Sequence, residues 1–288
     1  MTGRLTLALL VVIPAMMAYP WRSTLDWWLL GIAAAVVIVV FAWWRGAFVT
    51  TLLRRRIGLL RSSDAPRHQV EHAETDAHTT AVLQVHSDPG QELPLDILAG
   101  YLDRYGVRCD AVRVTRRDTA DGRATWVSLT LSAAVNMAAL QARSPHLPLR
   151  ETAEVTLRRL ADHLRELGYQ VATTDVDVPE LAGPEARERW RAVEDGARGF
   201  LTCYAVPTDG GLDQTLDELR ATVGTEVWTA VELTGAPSQP DVTAVCAVRS
   251  EQAPSAAPLP NLRPLRGRQR SILAALHPES SRLLTVRT

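Results

Sequence analysis

The sequence predicts an α+β protein that begins with a two-helix transmembrane hairpin and continues into a cytoplasmic region of two ferredoxin-like units. Two observations lead to this architecture. The first is a pair of apolar segments at residues 5–21 and 27–44. The second is the order β-α-β-β-α-β, which the hydrophobic pattern shows in residues 80–176 and again in residues 200–288. We therefore expect a membrane anchor followed by a folded region that repeats one pattern.

The two apolar segments have the composition of membrane-crossing helices. A lipid core roughly 30 Å thick requires on the order of 20 apolar residues as helix, because backbone groups find no water there. The turn between the segments holds only Arg22, offset by Asp26, whereas Arg4 precedes the hairpin and several arginines follow it. The positive-inside rule then predicts a multi-pass protein with both termini and the soluble domain in the cytoplasm. All basic residues are arginine and none is lysine, which suggests a GC-rich bacterial genome and therefore a bacterial inner membrane.

Tryptophans at the ends of the segments support this interpretation, because an apolar ring with one polar N–H suits the headgroup region. The predicted membrane-interface residues are Trp21, Trp27, Trp28, Trp43 and Trp44. A cleaved signal peptide at residues 5–19 is one alternative, and it would leave the second segment as the anchor. A helical hairpin buried in a soluble protein is the other alternative.

A basic stem follows the second segment as far as residue 61. Its arginines are Arg45, Arg54, Arg55, Arg56 and Arg61. They enforce the topology, and the run at 54–56 could also contact anionic lipid headgroups, at about 1 kcal/mol per charge, if the stem bends. If the stem stays straight, the same run would reach a neighbouring protein.

Overall charge and cysteine content narrow the function classes. The net charge is only -1, and basic residues cluster beside the hairpin, so nucleic acid is not the implied partner. The cysteines Cys109, Cys203 and Cys246 are odd in number and lie in apolar runs. Reduced thiols in the core are the expected state, which agrees with a cytoplasmic location.

The elements of the first unit follow from periodicity, after a polar linker at residues 62–79. Apolar residues recur on one face of each predicted helix, as Leu95, Leu98 and Leu102 do in the first. An Asp-Gly pair at 121–122 indicates a turn between two strands. The predicted strands are 80–86, 109–116, 124–131 and 169–175, and the predicted helices are 95–105 and 151–167.

The second unit repeats this order after a connector at residues 177–199. Alternation is clear where Val227, Val231 and Leu233 fall on one face of the strand and Glu232 falls on the other. The predicted strands are 200–206, 226–233, 242–249 and 282–287, and the predicted helices are 212–223 and 267–276. The domain boundaries are therefore 1–61 for the hairpin and stem, 62–79, 80–176, 177–199 and 200–288. A single three-layer α/β domain made of the same elements is the alternative.

Two patterns resemble catalytic sites. His68, Glu71 and His72 form the HxxEH pattern of inverted zinc peptidases, but the polar flanks offer no helix face to pack, which favours a solvated linker. Asp88 and the hairpin residues Asp118 and Asp121 fall where nucleotide cyclases and polymerases hold Mg²⁺. Their Pro and Gly neighbours are also typical of ordinary turns.

The whole layout resembles EccE, a membrane component of the actinobacterial type VII (ESX) secretion machinery. The resemblance lies in the two closely spaced spans, the exit at residues 43–46, the arginines at 54–56 and an α/β region without a catalytic motif. It implies a non-enzymatic subunit of an inner-membrane translocon that assembles with EccB, the FtsK-like ATPase EccC and EccD. No catalytic residue, metal or cofactor is implied by the resemblance.

Three functions are therefore open. The first is a scaffolding subunit of a hetero-oligomeric protein secretion complex in the bilayer, driven by a partner's ATPase. The second is a membrane-anchored nucleotide- or metal-dependent enzyme that uses the carboxylates of Asp88 and Asp121. The third is a binding module whose ferredoxin-like units hold a small ligand.

Overall fold

The computed structural model describes residues 78–86, 91–142, 148–174, 176–222 and 225–286, together with the backbone of residues 43–44 and 47–48. The chain divides into two units, residues 1–64 with Thr288, and residues 65–287. In the first unit, β1 (Trp43–Trp44) pairs antiparallel with β2 (Ala47–Phe48). The predicted spans at 5–21 and 27–42 lie outside the described residues.

Trp43 and Trp44, at the predicted end of the second span, are extended in the structure. Their position at the membrane interface stays a prediction. Tryptophan and phenylalanine favour strands, and Trp43 lies opposite Phe48 in the register. Among the described residues, no helix combines the length and the apolar character that a membrane span requires.

The second unit contains most of the predicted elements, and its first half ends at residue 172. The helix α3 occupies its predicted position and α1 only the first part of its own, whereas α2 forms in a segment that was predicted as loop. The elements are β3 (His78–His86), α1 (Leu95–Ala99), β4 (Asp103–Arg104), β5 (Val107–Arg108), β6 (Ala111–Thr119), β7 (Gly122–Ser132), α2 (Ala133–Gln141), α3 (Leu149–Glu166) and β8 (Gln170–Ala172).

The second half repeats the order strand, helix, strand, strand, helix, with short strands before and between. These elements are β9 (Arg187–Glu188), β10 (Val193–Glu194), β11 (Phe200–Val206), α4 (Leu212–Thr222), β12 (Val227–Ala236), β13 (Gln239–Ser250), β14 (Arg263–Pro264) and α5 (Gln269–Leu276). The strand predicted at 282–287 does not form within the described residues, which reach 286 and are irregular there.

Both halves contribute to one large antiparallel sheet. The strand order is β8-β3-β7-β6-β12-β13-β11-β10-β9, and β14 also pairs with β11. The halves meet where β6 and β12 pair antiparallel, with Val114 opposite Val231 and Arg113 opposite Glu232. The two halves are therefore joined edge to edge, and we call the β6–β12 junction the seam.

Helices cover both faces of this sheet. On one face, α1 and α3 pack on residues such as Leu83 and Leu129 in the first half, and α4 packs on Val231 in the second. On the opposite face, α5 and the connector before β11 cover Trp126 and Trp228. The apolar cores thus lie on the two sides of the seam strands, which are buried on both faces.

The helix predicted at 95–105 is shorter than expected. After α1, a 3₁₀ turn (Gly100–Leu102) leads into a hairpin in which β4 pairs with β5. Tyr105 and Gly106 form the turn with φ of 57° and 72°. Left-handed conformations at both turn residues match the twist of a tight hairpin, so the chain reverses where the helical pattern would continue.

Candidate functional site

The seam contains a buried ion pair, and it is our candidate functional site. The side chains of Arg113 and Glu232 are 2% and 1% exposed, and they lie opposite each other in the register of β6 and β12. Arg113 donates from Nε and Nη2 to Glu232 Oε2, over 2.9 and 2.6 Å. Because one partner comes from each half, this pair joins the halves through charge as well as through the strand ladder.

The same pair holds the segment after α5. Arg113 Nη1 donates to the carbonyl oxygens of Ala275 and Ser280 at 2.6 and 3.2 Å, and Nη2 donates to that of Arg282 at 2.5 Å. The second oxygen of Glu232, Oε1, accepts the backbone N–H of Leu284 at 2.7 Å. Two of these bonds, those of the Arg282 carbonyl and the Leu284 N–H, engage backbone groups of the predicted last strand, which is consistent with the irregular conformation of residues 282–286.

A second charged cluster lies at the far end of the seam. Glu226 accepts bonds from Arg117 Nε and Arg249 Nε, both at 2.6 Å, and from Trp228 Nε1 at 3.0 Å. Arg249 reaches on to Asp195 Oδ2 at 3.0 Å. Burial alone would raise the pKa of Glu226, but the hydrogen bonds from Arg249 and Arg117 outweigh it and lower the pKa.

Asp195 shows the same balance. Burial works to raise its pKa, whereas the backbone N–H of Gly183 and the guanidinium of Arg249 lower it further than burial raises it. The carboxylate thus ties the connector before β11 to β13. Both acids of the cluster are held in the charged form by partners that come from distant parts of the chain.

Stacked indoles lie on the α5 side of the seam. The rings of Trp126 on β7 and Trp228 on β12 are 5.6 Å apart and inclined by 10°. The guanidinium of Arg117 lies 5.6 Å from the centroid of Trp228. Such contacts add on the order of 1 kcal/mol beyond the burial of area.

On the opposite face, charged residues surround a cavity of about 290 Å³ between α1 and α4. Glu92 pairs with Arg116 at 2.5 Å at its rim. Asp118 pairs with Arg123 at 2.7 Å and faces Arg220 at 3.4 Å. Burial lowers the pKa of Arg220, with help from the positive charge of Arg123, while Asp118 opposes that shift.

These charges compensate one another, so the site can hold parts of the chain together. The acids of the seam each contact at least one arginine, which leaves them poorly suited to bind a cation or to transfer protons. Within the described ranges, no group of three or more His, Cys, Asp or Glu side chains is arranged to hold a metal ion. The cysteines are free and buried, and burial raises the pKa of Cys109 and Cys246 to about 12.

Comparison with known proteins identifies the family. Residues 119–206 match the EccE family model, described as "Putative type VII ESX secretion system translocon, EccE". Over 99% of its length the chain is 46% identical to the ESX-3 secretion system protein EccE3 of Mycolicibacterium smegmatis, of which it covers 90%. The chain belongs to the EccE family. The EccE3 protein of Mycobacterium tuberculosis strain H37Rv is 43% identical over 98% of this chain and 86% of the relative.

The family assignment confirms the resemblance that the sequence suggested. The matched segment of this EccE chain runs from the end of β6 through β11. It contains β7 with Trp126 and the connector with Asp195, whereas Arg113 and Glu232 lie on either side of it. The match to the family model therefore does not include the buried ion pair, whereas the matches to the EccE3 relatives extend over nearly the whole chain.

Most residues predicted for the membrane and for chemistry lie outside the described residues of this EccE chain. Those are Trp21, Trp27, Trp28, Arg45, Arg54, Arg55, Arg56, Arg61, His68, Glu71, His72 and Asp88. Of the predicted carboxylates, Asp121 is exposed in the β6–β7 turn. Asp118 is engaged by two arginines, so the structure does not present it as a free metal ligand.

The seam residues were missed, although the sequence carries a signal for them. Arg113 interrupts an apolar run in β6, and Glu232 does so in β12. A charged residue in a strand that is apolar on both sides indicates a buried partner, because an isolated charge there would be too costly. The alternation in 227–233 instead suggested a solvent-facing Glu232.

Proposed function

We propose that this EccE chain is a non-catalytic scaffolding subunit of an ESX-3 type VII secretion complex. The observation that carries the proposal is the continuous sheet, whose central charges are satisfied within the chain. Such a sheet supplies a rigid body with exposed edges and helix faces for protein contacts. The relatives named as ESX-3 secretion system proteins support the choice of complex.

The proposal includes a membrane anchor and a topology. The hairpin at residues 5–21 and 27–44 would hold the folded region at the cytoplasmic side of the inner membrane, with tryptophans at the headgroups and arginines inside. The strand order β8-β3-β7-β6 supports a ferredoxin-like arrangement of residues 80–176, because β7 lies between β3 and β6 as a split βαβ requires. In the second half, α5 lies on the other face, so that half departs from the same scheme.

Partners follow from the family resemblance. We expect EccB, EccD and the ATPase EccC beside this chain, with EccC supplying the energy for transport. Purification of the tagged full chain from its native host in mild detergent should recover these subunits, and identification by mass spectrometry checks it. Recovery of the chain alone would contradict the scaffold.

Carboxylate variants distinguish the scaffold from an enzyme. The double substitution Asp88→Ala with Asp121→Ala should leave both the complex and the secretion of ESX-3 substrates unchanged, because a scaffold needs neither carboxylate. Secretion is measured in a strain that carries only the variant copy. Loss of secretion from an intact complex would instead support the enzyme.

A further inference from the structure

Strand β3 has an open edge along much of its length. It pairs with β7 from His78 to Val85, but β8 covers its other side only at residues 84–86. Among the described residues, no strand pairs with the outer side of residues 79–83. An unpaired edge is a template for another strand, because its N–H and C=O groups have no partner in the ladder.

The register shows which backbone groups face the open side. In an antiparallel pair, alternate residues exchange both hydrogen bonds. The two-residue turn between β6 and β7 makes Thr119 and Gly122 such a pair. Even-numbered residues of β7 therefore bond to β6, and odd-numbered residues bond to β3. Leu129 lies opposite Ala81, so the backbone groups of Ala81 point toward β7. Thr80 and Val82 therefore point their N–H and C=O groups outward, where an added strand would bond to them.

A cleft of about 530 Å³ lies along this edge, between β3 and α3. Its α3 wall contains Ala153 and Leu157, which are buried and apolar. Its rim contains Arg150 and Arg158, which are 84% and 69% exposed and share one carboxylate, that of Glu154, at 3.3 and 3.9 Å. Glu279 also lines the cleft, so two carboxylates balance the two guanidiniums there.

We propose that an extended segment of another subunit of the secretion complex adds to β3 as a strand in this cleft. The inference rests on the proposed function. The segment would carry a small apolar side chain toward Ala153 and Leu157. Main-chain bonds give such additions their affinity, and side-chain pockets give their specificity.

The shape of the cleft disfavours a second copy of this chain. The open stretch is recessed between β8 and α3, and it is only five residues long, from 79 to 83. Stable interfaces between folded proteins bury more than about 1,000 Å², which so short a recessed strand does not supply. A flexible peptide segment enters such a recess without moving the helix.

Hydrogen exchange tests the proposal on the full chain, alone in detergent and within the purified complex. We expect the amides of Thr80 and Val82 to exchange fast in the isolated chain and slowly in the complex. The amide of Ala81, bonded to β7, should exchange slowly in both and serves as the internal control. Equal exchange of Thr80 and Val82 in both samples would overturn the proposal, whether the rate is fast or slow.

A pair of substitutions at Thr80 provides the second test. Thr80→Pro removes the outward N–H, which proline cannot donate, and edge positions tolerate proline. Thr80→Val removes only the hydroxyl, which lies 3.0 Å from that of Thr130, and keeps the N–H. We expect Thr80→Pro to lower the amount of bound partner about tenfold without changing the melting temperature of the chain. Thr80→Val should bind as much partner as the wild type.

These outcomes separate the two proposals. Absence of any secretion subunit with the wild-type chain would refute the scaffold itself. An intact complex with equal amounts of partner on both Thr80 variants would leave the scaffold standing and overturn strand addition. The proposal would also be overturned if the purified wild-type chain were a dimer and the Thr80→Pro variant a monomer. A second copy of the chain would then be the occupant.

Discussion

The buried contact between Arg113 and Glu232 should contribute strongly to the stability of this protein. Glu232→Gln keeps the shape of the side chain but leaves the buried guanidinium without a counter-charge. We expect it to lower the free energy of unfolding by about 3 kcal/mol, because removing one partner of a buried pair exposes the other to an apolar surrounding. Denaturant unfolding of the full chain in detergent measures the change.

Two comparisons give this prediction its controls. Arg150→Ala removes an exposed arginine and should change the free energy of unfolding by less than about 1 kcal/mol. Combining Glu232→Leu with Arg113→Met should cost less than the sum of the single changes, since the pair is removed together. Additive effects would contradict the coupling of the two side chains.

His277 should make the stability depend on pH near neutrality. Burial lowers the pKa of this imidazole below its ordinary value of 6.5, and its Nδ1 accepts the N–H of Glu279 at 3.3 Å, which only the neutral ring can do. The unfolded chain therefore binds the proton first, so stability is complete above about pH 6.5 and is lost as the pH falls toward the folded pKa.

Thermal melting at pH 7.5 and pH 5.5 measures this effect. We expect the melting temperature to fall at pH 5.5 in the wild type and to fall less in His277→Gln, which cannot take up the proton. Glu226 and Asp195 do not confuse the comparison. Because the pKa values of both carboxyl groups are lowered, the stability they contribute is lost only as the pH falls below their ordinary pKa values of 4.5 and 3.8. An equal fall in both proteins would refute the role of His277.

At the scale of elements, α2 depends on a single polar side chain. Asn136 is 2% exposed. Its Oδ1 accepts the N–H of Arg108 at 2.9 Å, and its Nδ2 donates to the carbonyl oxygens of Arg108 and Ser132 at 2.8 and 3.0 Å. We expect Asn136→Ala to lower the free energy of unfolding by about 2 kcal/mol, because the backbone of Arg108 loses its partners.

Chemical denaturation checks this value, with Gln141→Ala as the control at an exposed position of the same helix. The control should change the stability by less than about 0.5 kcal/mol. If both variants unfold at the same denaturant concentration, the anchoring role of Asn136 is wrong.

The elements that the sequence predicted well are those with strong periodicity. The strand at 200–206 matches β11, and α3 and α4 lie within two residues of their predicted bounds. The strand predicted at 282–287 does not form among the described residues, because the backbone groups of Arg282 and Leu284 bond to Arg113 and Glu232 instead of to a neighbouring strand. α2 was invisible since its residues 133–141 carry no charge and no clear apolar face.

At the scale of the molecule, the order of elements was predictable and the joining of the sheets was not. Nothing local distinguishes an edge strand from a central one when both alternate, and β6 and β12 alternate as free edges would. The clusters of arginines and acids at the seam follow from that joining, because they face each other only when β6 meets β12. Each half shows a charged residue within an apolar strand, which indicates a buried partner, but neither half shows which residue that partner is.

The shared sheet predicts that the described second unit unfolds as one cooperative body. β6 and β12 pair from Val112 to Asp118, and the indole stack crosses β6. Leu164→Ala in α3 empties a fully buried position of the first half, at a cost of about 3 kcal/mol. We expect it to accelerate the exchange of the slowest amides of β7 and of β13 equally, as measured by hydrogen exchange in denaturant. Val135→Ala, at an exposed position, should change neither. If exchange rises in β7 alone, the halves unfold independently and the seam does not couple them.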